Sequence, residues 1–102
     1  MSLSKYTIRL LRVAEEDLAE IVTYIAAENI SAAEALMDRV EKNLLSLQEH
    51  PYLGRIPDDV ELLKLGYRYL IVDNYLIFYV VDERTVLVHR IMHGARDYES
   101  LL

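Results

Sequence analysis

The sequence of 102 residues contains no cysteine and no tryptophan. Without cysteine there are no disulfides, no thiolate ligands for a metal and no cysteine nucleophile, which fits a reducing cytoplasm. Long apolar runs are also missing, since none approaches the roughly 18 residues that a membrane span requires. The N-terminus lacks the apolar core and the small-residue cleavage site of a secretory signal. We therefore expect a cytoplasmic protein that is not inserted in a membrane.

Positive charge is scarce as well. The chain has 17 Asp and Glu residues but only 11 Lys and Arg residues, so its formal net charge is −6 at pH 7. Five of the basic residues precede His50 and six follow it, so the basic residues do not gather in one half of the sequence. A protein that grips nucleic acid usually carries a basic patch, because its affinity comes largely from counterion release. We expect no direct binding to DNA.

The sequence does have enough apolar material for one core. Hydrophobic residues make up 53% of the chain, and its length lies in the usual range of one domain. A folded core of this size is physically plausible without disulfides. We therefore expect residues 1–102 to form a single domain.

Two helices are indicated in the first half of the chain. They follow Lys5–Val13, a short run of β-forming residues that predicts a strand. Apolar side chains then recur at helical spacing over Leu18–Ile25, and this first helix should stop near Asn29. Ser31 followed by Glu34 has the spacing of a capping box, which predicts the start of a second helix. The link between the helices is short, so we expect a helical hairpin.

Three strands are predicted in the second half of the chain. They follow Tyr52–Gly66, which contains two of the three glycines and reads as an irregular segment with a short turn at Val60–Leu63. The predicted strands are Tyr67–Val72, Tyr75–Val81 and Thr85–Met92, and the short polar links between them indicate antiparallel hairpins. The predicted fold is therefore α+β, with the order β-α-α-β-β-β and the helical hairpin packed on one face of a small antiparallel sheet.

The predicted strands are apolar on both faces, as the run Leu76–Val81 illustrates. Two helices cover only one face of a sheet, and a face turned to water should carry polar residues in alternation. The second face is therefore expected to expose an apolar patch of the kind that marks a binding surface. The alternative is that the C-terminal tail or the irregular segment folds over this face.

Five stretches of the sequence form a recognisable series. They are Glu16–Ile25, His50–Arg55, Tyr67–Arg68, Asn74–Tyr79 and Val88–Asp97. In their order and spacing they resemble the ParE/RelE superfamily of bacterial toxin–antitoxin toxins, and the resemblance covers nearly the whole chain. It is closer to the ParE branch. It implies a toxin of a type II, plasmid-stabilising module that is neutralised by a small co-expressed antitoxin.

Two mechanisms compete within that superfamily. ParE-like members are associated with inhibition of DNA gyrase and have no known hydrolytic chemistry, whereas RelE-like members cleave messenger RNA on the ribosome. The resemblance thus implies either DNA gyrase or the ribosome as the partner that is inhibited. A third hypothesis is a decayed module, in which the toxin now only binds its antitoxin.

A ribonuclease without a metal needs a base, an acid and cations that face the phosphate. The candidates here are Arg68, Arg90, His93 and Tyr98, and histidine titrates in a range suited to this chemistry. However, RelE-type toxins are typically strongly basic and this chain is acidic. Tyr75 also stands close to where many relatives place an arginine. We therefore favour a binding protein over an enzyme, and expect no cofactor.

The resemblance also suggests which surfaces bind the partners. Contacts with the target are assigned to four residues, Arg55, Arg90, His93 and Arg96. The antitoxin is expected on the helical hairpin and on the apolar sheet face, at Leu76, Phe78, Val86 and Val88. The acidic surface suits an antitoxin segment that contains Lys or Arg. The sequence leaves open whether the toxin forms a homodimer or a heterotetramer with its antitoxin.

Each candidate residue also has a structural interpretation. Arg55 could anchor the irregular segment to an acid of the second helix, and Arg68 and Arg90 could bond Asp97 or Glu99 in an ion network without catalysis. No metal site is expected, because no third ligand stands at convincing spacing from the two histidines near the end of the last strand.

Overall fold

The computed structural model describes residues 5–94, which form one sheet and three helices. The elements are β1 (Thr7–Leu10), α1 (Arg12–Ala26), α2 (Ile30–Ser46), α3 (Val60–Lys64), β2 (Arg68–Val72), β3 (Tyr75–Asp82) and β4 (Thr85–His93). The strand order in the sheet is β1-β4-β3-β2. The α+β prediction is confirmed. The crossover from β1 through the helices makes β1 parallel to β4, while the other neighbours are antiparallel.

The first strand is shorter than the sequence indicated, because the chain leaves the sheet at Leu11. The N–H of Leu11 donates to the carbonyl of Val88 at 2.9 Å, and α1 begins at the next residue, Arg12. The helix therefore starts three residues before the acidic run Glu15–Asp17, and only Glu15 of that run lies in its first turn.

The second helix is capped by Asn29 and not by the predicted capping box. The Asn29 side chain accepts a hydrogen bond from the N–H of Ala32 at 3.0 Å, so Asn29 is the N-cap and α2 starts at Ile30. Asparagine and serine are similarly good N-caps. The prediction that Ser31 and Glu34 form a capping box is therefore wrong, because a cap two residues earlier starts the helix.

The main core lies between the helical hairpin and one face of the sheet. Its buried residues come from both layers and are Ala14, Leu36, Val40, Leu44, Leu47, Leu70, Val72, Ile77, Tyr79, Val86, Val88 and Ile91. The opposite face carries a second, smaller cluster, in which Leu62 of α3 packs with Phe78 and Met92. The irregular segment thus folds over part of the second face, as the alternative interpretation of the apolar strands required.

One tyrosine hydroxyl joins the irregular segment to the sheet. Tyr79 of β3 has no exposed surface, and its Oη donates to the carbonyl of Pro51 and accepts from the N–H of Gly54, both at 2.8 Å. A side chain at position 54 would not fit, since a Cβ there would lie 2.6 Å from the same Oη. Burial raises the pKa of Tyr79, so its hydroxyl stays a neutral donor.

We predict that Tyr79→Phe lowers the free energy of unfolding by about 1–3 kcal/mol, because it leaves the Pro51 carbonyl and the Gly54 N–H buried without their partner. Urea denaturation monitored by circular dichroism measures the change. The matched control is Tyr24→Phe, since Tyr24 is 73% exposed. The control should change stability by less than about 0.5 kcal/mol. Equal effects of the two substitutions would contradict this role of Tyr79.

Candidate functional site

The last strand, β4, contains a β-bulge next to the predicted functional residues. Phe78 of β3 is opposite Arg90, but the next residue, Tyr79, is opposite Val88. His89 is therefore an extra residue on β4. A bulge bends a strand and changes the direction of its side chains. The bulge therefore affects the directions in which the side chains of His89 and Arg90 leave the strand.

The carboxylate of Asp17 holds the bulged part of β4 against α1. It accepts hydrogen bonds from Nε and Nη2 of Arg90 at 2.7 and 3.0 Å, and a third from the backbone N–H of Ile91 at 3.0 Å. The side chain of Asp17 is only 15% exposed. The pairing of β1 with β4 ends at Val88. Beyond that point the carboxylate of Asp17 accepts the hydrogen bond from the backbone N–H of Ile91. Local sequence patterns do not reveal this role of Asp17, because its partners are more than 70 residues away.

His93 lies at the end of β4, opposite Tyr75 of β3. The two rings meet edge to face with their centroids 5.5 Å apart. Arg90 and His93 therefore lie three residues apart at one end of the sheet. Arg96 and Tyr98 lie outside the described residues, as do the predicted ion-pair partners Asp97 and Glu99.

Arg68 is not part of that end of the sheet. It is opposite Tyr79, four residues along β3 from Tyr75, and the strands of Arg68 and His93 flank β3 on opposite sides. At the usual strand dimensions this puts the Cα atoms of Arg68 and His93 about 16 Å apart. Nη1 of Arg68 donates to the carbonyls of Tyr52 and Gly54, each at 3.1 Å. Arg68 thus helps to hold the irregular segment in place.

Arg55 also lies away from His93. Its backbone pairs with Tyr69 at the outer edge of β2, with N–H to carbonyl distances of 2.8 and 2.9 Å. Its side chain is exposed and makes no hydrogen bond or ion pair with an acid of α2 among residues 5–94. The structural interpretation of Arg55 is therefore wrong, because its backbone and not its guanidinium anchors the segment.

The four residues assigned to antitoxin contact are mostly inaccessible. Val86 and Val88 face the helices in the main core, and Phe78 is covered in the smaller cluster, so none of the three has exposed surface. Leu76 is half-buried beside that cluster. The expected exposed face at these positions is wrong, because α3 covers one side of the sheet and the hairpin the other. Antitoxin contact at these four residues stays a prediction, and it would require α3 or the helical hairpin to move away from the sheet.

His89 and Tyr67 form a polar pair on the sheet face opposite the hairpin. Nδ1 of His89 and Oη of Tyr67 are 2.8 Å apart, and the rings meet edge to face at 5.1 Å. Burial lowers the pKa of His89. In the part of the chain that the structure describes, no group of three or more His, Asp or Glu residues could hold a metal ion. None of the helices in that part is long and apolar enough to cross a membrane.

The helical hairpin and the turn after α2, which ends at Glu49, together carry the acidity of the whole chain. Between Arg12 and Glu49 there are nine acidic and three basic residues, and the difference equals the formal net charge of −6. The remaining residues are balanced. The hairpin is therefore the surface that attracts a cationic partner.

Two apolar depressions run along the seam between α1 and α2, and we call them together the hairpin groove. One has a volume of about 510 Å³ and is lined by Val22, Ala26, Ile30, Ala33, Glu34, Met37 and Asp38. The other has a volume of about 250 Å³ and is lined by Ile8, Leu18, Met37, Val40, Glu41, Leu44 and Leu45. Apolar walls with acidic residues beside them suit an amphipathic helix with basic flanks.

Comparison with known proteins agrees with this architecture. The family model described as ParE toxin of type II toxin-antitoxin system, parDE, matches residues 8–98. Among solved structures, a chain of the chromosomal ParDE toxin–antitoxin system from P. aeruginosa is similar with a TM-score of 0.71 and 17% identity, over 87% of this chain and 96% of that one. A chain of the RelBE2 toxin–antitoxin complex from Mycobacterium tuberculosis has a TM-score of 0.60 and 24% identity, over 90% of this chain and 94% of that one. No curated protein is significantly similar in sequence.

We predict that Asp17→Asn lowers the free energy of unfolding by about 2 kcal/mol, since it removes a charged acceptor from Arg90. Glu16→Gln is the matched control. Glu16 is exposed, and its oxygen lies 3.5 Å from Arg12 in a solvated pair. Such pairs contribute little, so the control should change stability by less than about 0.5 kcal/mol in the same urea titration. A control that costs as much as Asp17→Asn would show that Asp17 has no special role.

Protonation of His89 should destabilise the fold. Because burial lowers its pKa from the ordinary 6.5, the unfolded chain takes up the proton first as the pH falls. The free energy of unfolding should therefore decrease below about pH 6.5 and level off below the folded-state pKa of His89. His89→Gln should flatten this decrease in urea titrations across that range, and His50→Gln, at an exposed site, should not. The same slope in all three proteins would exclude His89 as its source.

Proposed function

Because this chain belongs to the ParE toxin family of type II toxin–antitoxin systems, we propose that it inhibits DNA gyrase by protein–protein contact and is neutralised by a cognate antitoxin. Both partners act in the cytoplasm, which agrees with the absence of cysteine from the sequence.

The observation that carries the choice of mechanism is the separation of the ribonuclease candidates. Arg68 and His93 lie on opposite sides of β3 and at different levels along it. General acid–base catalysis requires groups within hydrogen-bonding reach of the same reacting atoms. Arg68 is instead bound to the carbonyls of the irregular segment. This arrangement supports binding rather than RNA cleavage.

We assign the contact with the target to the end of β4, at Arg90 and His93, with Arg96 following them in the sequence. Asp17 fixes the direction of Arg90, so this end of the sheet presents a preorganised cation. Arg55 lies beyond β2, on the far side of the sheet from β4. It would contact the target only if the interface extended across the sheet.

We assign the antitoxin to the hairpin. The acidic excess of this element and the apolar walls of the hairpin groove together favour a segment with apolar residues on one face and Lys or Arg beside them. The antitoxin and the target then use different surfaces of the same small domain.

Expression of the chain alone in bacteria tests the target. With protein and DNA synthesis labelled separately after induction, we expect DNA synthesis to stop first while translation continues. His93→Ala should weaken this block, and His50→Ala, at an exposed site after the end of α2, should not.

The same experiment separates the competing hypotheses. An early collapse of translation with continuing DNA synthesis would contradict the gyrase proposal and favour a ribosome-dependent ribonuclease. Undisturbed growth with the folded chain present would favour a decayed toxin that only binds its partner.

A further inference from the structure

Met37 occupies the middle of the hairpin groove. It is the one residue that lines both depressions, in one together with Glu34 and Asp38 and in the other together with Glu41. Its side chain is 39% exposed. A helix seated along the groove would therefore contact Met37 at its centre, where interface residues contribute most to binding.

The second methionine that the structure describes has the opposite environment. Met92 is 5% exposed and packs with Leu62 and Phe78 beneath α3. Oxidation of a thioether depends on access of the oxidant, and it converts a flexible apolar side chain into a polar one. The described part of the chain thus holds one accessible and one protected thioether.

We propose that Met37 is an oxidation site that controls docking of a cationic amphipathic helix, the antitoxin segment, in the hairpin groove. The proposal rests on the proposed function, because that function supplies the antitoxin. The occupant follows from charge complementarity, since the hairpin and the turn after α2 together hold an acidic excess equal to the net charge of the chain. Oxidation of Met37 releases this helix, and the helix when bound protects Met37.

The oxidant is a peroxide, and hydrogen peroxide illustrates the balance. The sulfur of Met37 attacks one peroxide oxygen, the O–O bond breaks, and an S–O bond forms. The sulfur loses two electrons and the peroxide gains them. The second oxygen leaves as water after proton transfer. The product is methionine sulfoxide, which reductases convert back to methionine.

The sulfoxide should weaken docking because its oxygen is a strong acceptor in an apolar groove. A seated helix would cover it without supplying a donor from its own apolar face, and burial of an unpaired polar group is unfavourable. We expect affinity to fall about tenfold or more.

The first test measures oxidation of the free, folded chain. After brief exposure to dilute hydrogen peroxide, mass spectrometry of the peptides should show sulfoxide at Met37 well before Met92. Equal rates at the two residues, or faster oxidation of Met92, would overturn the proposal.

The second test measures docking with a defined probe. The probe is a fluorescent synthetic peptide with leucines at helical spacing on one face and lysines beside them, and binding is followed by anisotropy. The wild type should lose affinity after peroxide treatment. Met37→Leu keeps a similar apolar volume and has no thioether at this position, so it should bind the peptide before and after treatment. Loss of affinity by both proteins, or by neither, would overturn the role of Met37.

Glu41→Lys separates failure of the redox proposal from failure of the docking surface. This substitution should weaken binding of the peptide to the reduced protein. If the reduced wild type does not bind, or if Glu41→Lys binds equally well, the acidic groove is not the docking surface and the redox proposal is overturned with it. The proposed action on gyrase would stand or fall separately, on the labelling of DNA and protein synthesis.

Discussion

The hydroxyl of Tyr79 determines where the irregular segment lies on the sheet. It bonds the carbonyl of Pro51 and the N–H of Gly54 in the interior, where unpaired backbone groups would be unfavourable. Once these two positions are fixed, the backbone of Arg55 can pair with the outer edge of β2. The chain then continues into α3, which covers part of the second face of the sheet. Phe78 and Met92, on that second face, are buried as a result.

Two arginines near the sheet are held by different kinds of partner. Arg68 lies at the end of β2 that is next to Tyr52 and Gly54. Because the irregular segment is held there, the guanidinium of Arg68 donates to the carbonyls of these two residues. Arg90 lies where β1 no longer pairs with β4, and the carboxylate of Asp17 occupies that edge. The orientation of each arginine therefore depends on its partner, which is a pair of backbone carbonyls for Arg68 and a carboxylate for Arg90.

The sequence was informative where structure depends on neighbouring residues. Helical spacing over Leu18–Ile25 and the short polar links between the strands correctly indicated the element order. Local patterns could not distinguish the cap at Asn29 from a capping box at Ser31, since both residues are good N-caps. The hydrogen bonds that Asp17 accepts from Arg90 and Ile91, beside the bulge, join residues far apart in the chain. Hydrophobic periodicity does not indicate such contacts. Apolar residues on both faces of β3 were consistent with either an exposed or a covered sheet, and only the position of α3 decides between them.

The pairing of β1 with β4 also has a consequence for synthesis of the chain. The first strand has no neighbour in the sheet until the last strand has been made, because β1 borders β4 alone. At about 5–20 residues per second, roughly 4–17 s separate the synthesis of β1 from the end of β4. Both helices have been synthesised before β2, β3 and β4 follow, so for part of that interval they lack the sheet against which their apolar stripe packs. The nascent chain thus displays its helices before it possesses a complete sheet.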